Sequence, residues 1–321
     1  MNRQAGLSMV EMLIGLLIGS LLLAGAVGFF VHTRHSYAVQ NALLEAQENG
    51  RFALEILGLD LRMADHWGGV EAAEVSGSPS VTGSGACTAA WILDARTALR
   101  GYDGNTSAPL DCLSNYLPAS DVLVVRYAGT DQLGVAKDAD GIYLRAAVGK
   151  RGVLLGGSDS PPADLPDGDG TYDLPFRISV FYLRTCSSPT ACASGETDRP
   201  TLWRQTLCKD AAGLNCLVGN RLSAEPLVEG IEQIQFAYGV DTDNDGSANR
   251  FLAAASVADW AKVVAVQTAV ISRGGEYDGG FSDLVTYSLA GGVVFVPSGD
   301  AVHFHRRPYR TVTQLRNRGR G

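Results

Sequence analysis

The chain has 321 residues, of which 46% are hydrophobic and 19% charged, with a formal net charge of −8 at pH 7. This is globular composition with one apolar segment added, long enough to bury a sizeable core. The acidic balance argues against nucleic acid as the main partner.

The apolar segment comes first. From Met12 to Thr33 there is no Asp, Glu, Lys or Arg, and about 20 apolar residues suffice to cross a bilayer as a helix. One carboxylate, Glu11, stands near its start. A carboxylate in such a span is costly and calls for a partner. A secretory signal has an apolar stretch of about 7–15 residues followed by a small-residue cleavage site. Here the stretch is longer, and the small residue, Gly6, precedes it. A short basic leader, Gly6, the apolar Leu7, Glu11 and an uninterrupted apolar helix together resemble the type IV prepilins and pseudopilins. The resemblance implies a leader over 1–6 and cleavage between Gly6 and Leu7 by a prepilin peptidase. It also implies methylation of the new Leu7 amine and a role for Glu11 in bringing neighbouring subunits into register. In the bilayer Glu11 needs a cation, and the α-amino group of an adjacent subunit can supply one.

Residues 7–33 are thus expected as membrane anchor and filament core, and 34–69 as a continuation of the same helix. Val39, Leu43, Ala46, Gly50, Ala53, Leu57, Leu61 and Ala64 recur at steps of three and four. Phe52, Ile56, Leu59 and Met63 form a second stripe beside them, which predicts a wide buried face against a sheet. His66-Trp67-Gly68-Gly69 ends the helix. The run QENGRFALEILGLDLRMADHWGG, Gln47 to Gly69, resembles the PilW-type minor pilins, as does the ending TVTQLRNR, Thr311 to Arg318. Residues of about 70–220 carry no motif of that family.

Residues 70–321 read as a β-rich exported domain. Strands are expected at Asp121–Tyr127, Ile142–Val148, Phe176–Leu183, Leu202–Leu207, Ile231–Tyr238, Val263–Ser272 and Val293–Val296, separated by Gly-, Pro- and Asp-rich loops. Asp159 to Asp173 is such a loop, and Ala253–Trp260 a short helix. The tail from Arg306 to Arg320 holds six arginines alternating with apolar residues, which suits a terminal edge strand. The fold class is α+β, pilin-like: a long N-terminal helix packed on an antiparallel sheet.

The six cysteines, Cys87, Cys112, Cys186, Cys192, Cys208 and Cys216, are even in number. Without C-x-x-C spacing or an intervening histidine they favour disulfides over zinc, hence an oxidising compartment. Cys186–Cys192 and Cys208–Cys216 would close short loops and Cys87–Cys112 a longer one; sequence does not decide the connectivity.

DTDNDGSANRFL, Asp241 to Leu252, matches the start of a calcium loop. Asp241, Asp243 and Asp245 would offer carboxylates, Ser247 its carbonyl and Asn249 a further contact. Leu252 stands where a bidentate Glu belongs, so the alternative is an acidic hairpin turn that holds no ion. Calcium is the one cofactor the sequence raises. His303 and His305 are a pair without a third ligand. No nucleophile elbow, phosphate loop or zinc-protease motif occurs, and the chain reads as a non-enzyme.

The resemblance implies a minor pilin of a type IV pilus. It would sit in the inner membrane with its globular domain periplasmic and later in the pilus at the cell surface. Its partners would be other minor pilins and the major pilin, and its roles attachment and twitching motility. A type II secretion pseudopilin and a calcium-dependent adhesive module are the rivals.

Overall fold

The computed structural model describes residues 8–81, 83, 85–130, 136–139, 141–168, 170–188, 192, 199–207 and 222–318. One helix, α1 (Met9–Met63), runs 55 residues without a proline to break it. It stops where Asp65, Gly68 and Gly69 take positive φ. There the chain turns into β1 (Val75–Ser76), α2 (Ala89–Ile92), β2 (Leu99–Tyr102), β3 (Val122–Ala128), β4 (Ile142–Ala147), β5 (Gly152–Gly156) and β6 (Thr171–Arg184). Then follow β7 (Thr201–Leu207), β8 (Leu222–Glu229), β9 (Ile231–Val240), β10 (Arg250–Leu252), β11 (Val263–Arg273), β12 (Tyr287–Ser288), β13 (Val294–Phe295) and β14 (Arg306–Gln314).

The strands form an eight-stranded sheet, a four-stranded sheet in the order β10-β9-β11-β14, and the small β12–β13 pair. Pairing is antiparallel except for β1 beside β5. The long β6 organises the larger sheet. Its first residues pair with β4, Phe176 to Phe181 with β3, and Ser179 to Arg184 with β7. The basic tail is the edge strand its alternation predicts, with Arg306 to Gln314 laid antiparallel along β11.

Two apolar cores result. One lies on the far side of the larger sheet, around Trp67, Phe176, Tyr182 and Trp203. The other is enclosed by α1 and both sheets. Leu57 and Leu61 of the helix meet Leu123, Phe181 and Leu202 of one sheet and Phe236, Tyr238, Val266 and Val270 of the other. A helix can lie this close only if its contact face is small. Ala42, Ala46, Gly50 and Ala53 are all buried. A Cβ at Gly50 would overlap the Tyr309 ring of β14 and come within 2.8 Å of Ser272 Oγ of β11. Ser272 Oγ itself donates to the Ala46 carbonyl at 2.5 Å.

The helix is narrower on its buried side than its sequence predicts. Phe52 and Leu59, read as a second core stripe, are 51% and 55% exposed. The sheet meets only the Ala/Gly/Leu ridge, so these residues stay outward. The stretch Ala253–Trp260 is not one helix either. It makes separate 3-10 turns at Ala254–Ser256 and Trp260–Lys262. The Asp103 carboxylate takes the Ala254 and Ala255 N–H groups at 2.7 and 2.8 Å, and Asp259 starts a new turn by accepting from Ala261.

Polar side chains join the layers. The loop expected over Asp159–Asp173 is shorter, because Thr171–Asp173 already pair with β4 as the start of β6. Buried Arg145 pins it by donating to the Leu165 carbonyl and Asp167, and to Asp173 of the strand. Buried Arg306 meets Glu232 at 2.8 Å and Asp283 at 3.2 Å, joining β14 to β9. Asp121, before β3, accepts from the Phe236 N–H of β9 at 2.7 Å and from Gly104 at 2.8 Å, so one carboxyl links the two sheets. Burial raises that carboxyl to about 7, against the pull of those two N–H groups. At the helix end, Asn317 Nδ2 donates to the Ala64 carbonyl at 2.9 Å and Arg318 Nε to Asp65 at 2.6 Å. The Ala64 carbonyl belongs to a helix end, whose last carbonyls lack partners of their own, while Arg318 pairs with the Asp65 carboxylate just beyond it and so places a cation near that end.

Gly50→Ala should lower the melting temperature. Its gain in helix propensity, about 1 kcal/mol, is outweighed by overpacking against Tyr309, roughly 1–3 kcal/mol. Gly58→Ala is the control, because a Cβ there meets only the mobile Arg62 guanidinium at 3.3 Å. It should stabilise by roughly 0.5–1 kcal/mol, and equal effects from both substitutions would contradict the close-packing account.

A second outcome concerns pH. A folded-state carboxyl raised from 3.8 to about 7 favours the protonated folded form. Its stabilisation is full below about pH 4 and is lost as the pH rises through 7. Relative to Asp121→Asn, the parent should therefore weaken between those limits, by at most roughly 4 kcal/mol. Parallel melting curves across that range would refute it.

Candidate functional site

Three places carry the residues that the sequence singles out. The first is the N-terminus of α1. Gly6 and Leu7 lie outside the described residues, but the start of the helix does not. Ser8 is its N-cap, accepting from the Val10 N–H at 3.3 Å. Glu11 reaches back so that the Ser8 N–H donates to its Oε2 at 2.9 Å. This reciprocal capping box satisfies N–H groups that a helix start leaves open. Sequence reasoning found Glu11 and missed Ser8, although the Ser-x-x-Glu spacing before an apolar run was available to find it. Among the described residues, then, Glu11 holds a neutral N–H donor and no cation. The helix beyond it presents its apolar side chains on every side. Leu13, Leu17, Leu21, Leu23 and Phe29 are all exposed, and none of the most apolar stretch is buried against the domain. Such a surface needs lipid or other apolar helices around it.

The second place is the loop after β9. Asp241, Asp243 and Asp245 each bring a carboxylate oxygen within 4.8 Å of the others. The loop also satisfies itself. Asp241 is buried and accepts N–H groups from Asp243 at 3.1 Å, Asn244 at 2.6 Å and Gly246 at 2.8 Å. Burial raises its carboxyl, but these donors outweigh burial and hold it below the usual carboxylate range. Asp245 accepts from Ser247, and Asn249 spends its side-chain oxygen on Thr242 and its amide on Asp243 at 3.1 Å. Gly246 takes the positive φ that the tight turn requires. Leu252 ends β10, paired with Tyr238, where a calcium loop would present its last carboxylate. The carboxylates therefore converge as a cation would need, while Asp241 and Asn249 are turned inward on backbone donors. That fits calcium only in part.

The third place is the set of cysteines. Cys87 pairs with Cys112, and Cys186 with Cys192, with Cα separations of 6.0 and 5.6 Å. These are two of the three candidate bridges; Cys208 and Cys216 lie outside the described residues. The Cys87–Cys112 bridge closes the loop that carries α2. Beneath it the buried Arg126 guanidinium donates to the Trp91, Ile92 and Thr97 carbonyls. The histidine pair separates in function. His303 Nδ1 lies 2.6 Å from the Phe281 carbonyl, whereas His305 Nε2 lies 3.2 Å from Asp278.

For the acidic loop the hydrogen bonds favour a turn that closes on itself. The full chain in detergent should melt at the same temperature with millimolar calcium and with chelator, and Asp241→Ala should lower both equally. A calcium-induced rise that Asp243→Ala abolishes would assign the loop to the ion instead.

Comparison with known proteins bears on both ends of the chain. Residues 180–317 match the family model of the Type IV Pilus-assembly protein W, and residues 1–27 match the Prokaryotic N-terminal methylation motif. The first match runs from within β6 to the helix-capping Asn317 and includes the acidic loop; the second covers the capping box and most of the apolar span. No curated protein and no solved structure matches the chain.

Proposed function

Taking the chain as a membrane-anchored type IV pilin of the PilW type, we propose that it is a minor pilin. In this reading it helps to start or cap a type IV pilus, and through the pilus it serves attachment and twitching motility. Residues 1–6 are the leader, removed by a prepilin peptidase, and Leu7 becomes the methylated N-terminus. Residues 7–33 anchor the protein in the inner membrane and later join the filament core. Residues 34–69 carry the helix into the exported, periplasmic domain of residues 70–321. The protein works by assembly and not by catalysis.

One observation carries this reading. The apolar surface of α1 does not end with its most apolar stretch. Tyr37, Leu44, Phe52 and Leu59 remain exposed on the face turned away from the sheets. A lone domain gains nothing from such a ridge. A bundle of parallel helices from neighbouring pilins would bury it, and would bring one subunit's Glu11 towards another's new α-amino group. A type II secretion pseudopilin would use the same helix. The match to a pilus-assembly family over 180–317 favours the pilus.

Gly6→Val should leave the precursor uncut, because a branched side chain crowds a site that now presents none. The mass of the mature N-terminus reads this directly, and cleavage after residue 20 or later would refute the prepilin reading. Glu11→Ala should still insert and be processed, since losing the carboxylate lowers the cost of the span, yet be missing from sheared filaments. Glu11→Gln separates charge from capping. Gln serves in a capping box as Glu does but cannot pair with an amine, so it should fail like Ala. If Glu11→Gln assembles normally, the carboxylate acts only as a helix cap.

A further inference from the structure

Where the apolar part of α1 stops, a second part of the protein is tied to it. At about 1.5 Å per residue, Met12 to Thr33 cover about 33 Å, against a hydrocarbon core of about 30 Å. The headgroup layer beyond, roughly 5–7 Å deep, then takes in Arg34 to Tyr37. His35 stands at that level, and its Nε2 lies 3.3 Å from Asp278 Oδ1. His305 Nε2 approaches the other oxygen of the same carboxylate at 3.2 Å.

The segment that bears Asp278 climbs α1 towards the membrane. Gly274 packs on Ala42, the Gly275 N–H donates to Glu45 at 3.0 Å, and Asp278 then reaches His35. Backbone bonds from Asp278 to His303 and from Asp283 to Val302 close the segment into a tip, held from behind by Asp283 on buried Arg306. Its large exposed side chains are apolar or aromatic, with the small Ser282 between them and Glu276 exposed at the edge of the tip. Leu284 is 79% exposed, the most of any large hydrophobic outside α1 among the described residues. Tyr277 is 57% exposed, and Val285 is exposed too. Tyr37 faces solvent at the same height on the helix. An aromatic ring with a polar end belongs at a membrane–water boundary, and an exposed Leu-Val pair beside it adds apolar area for insertion.

We infer that the tip of residues 277–285 is a second membrane contact, seated in the headgroup layer of a phospholipid leaflet with Tyr277, Leu284 and Val285 at the acyl boundary. This rests on the reading that α1 spans a bilayer. The contact would fix the tilt of the globular domain on its anchor before the subunit leaves the membrane. A domain held at one angle presents the same face to every incoming partner.

The test places a photoreactive benzophenone residue at one position at a time in the full chain, reconstituted in phosphatidylethanolamine–phosphatidylglycerol vesicles. The positions are Val27, Leu284 and Val148. Val148 is also exposed but packs near Gly69, beyond the far end of the helix and more than about 40 Å from the bilayer by helix rise. After irradiation, lipid adducts should appear at 27 and 284 and be absent at 148. Adducts at 27 without any at 284 would overturn the inference and leave the membrane span intact. No adduct at 27 would overturn both. Crosslinks from 284 to a second copy in place of lipid would assign the tip to subunit contact and overturn the lipid reading. All three side chains point away from the protein's own cores, so a thermal melt matching the parent excludes misfolding as the cause of a negative result.

Discussion

The closeness of α1 to β11 and β14 governs the architecture. It is set by a file of side chains, Ala42, Ala46, Gly50 and Ala53, that withhold volume. Because Gly50 has no Cβ, Tyr309 can lie flat on the helix, and Ser272 can reach the Ala46 carbonyl. Below this file the ridge widens to Leu57 and Leu61, which fill the gap where the two sheets diverge. The same helix thus serves as backing for the small sheet and as the apolar wedge between both sheets. Losing either buried Leu would cost about 2–5 kcal/mol. That is a large share of the stability of a domain.

Two demands act on one helix. The C-terminal half must be small and selective on one side only, because it packs against a fixed surface. The N-terminal half is apolar all round, because lipid makes no such distinction. Between the two, at His35 and Glu45, polar side chains take over and tie the helix to the segment after β11. The polar groups beneath the small sheet are similarly strict. Arg306, Glu232 and Asp283 are buried together, and removing one partner of such a set is far costlier than never having had it, about 3–5 kcal/mol.

Much of this was legible in the sequence, for reasons that differ by element. The long helix was, because its period continues through the end of the apolar run. So were the central strands, whose apolar runs have no other explanation, and the arginine-rich edge strand. β8 was not legible: Pro226 and its acidic neighbours read as loop, yet an edge strand can hold a proline where no ladder bond is needed. The start of β6 was hidden because Thr171–Asp173 end the Gly-, Pro- and Asp-rich run from Asp159, which reads as loop throughout. Phe52 and Leu59 misled because periodicity reports which side chains are apolar and not which are covered. At the acidic loop the residue types pointed to a cation. The structure adds that a buried Asp can instead spend its charge on three backbone N–H groups. Asn317 stands in the Thr311–Arg318 ending that carries the family resemblance, but its capping role gave no signal, since that depends on a helix end 253 residues earlier.

That cap has a consequence for how the molecule is made. The carbonyl at the end of α1 emerges from synthesis early, and the Asn317 side chain that satisfies it follows 253 residues later. The order of synthesis is therefore the reverse of the order of closure. Until Asn317 is in place, the helix end must rely on water. The apolar wedge of Leu57 and Leu61 has only part of its final surroundings until β11 and β14 arrive. A chain cut short before Thr311 loses the last four of the nine residues of β14, the Asn317 cap and the Arg318–Asp65 pair. It would leave the Leu57 and Leu61 wedge open on the side that β14 covers. The helix that begins the fold is thus the last element to be sealed.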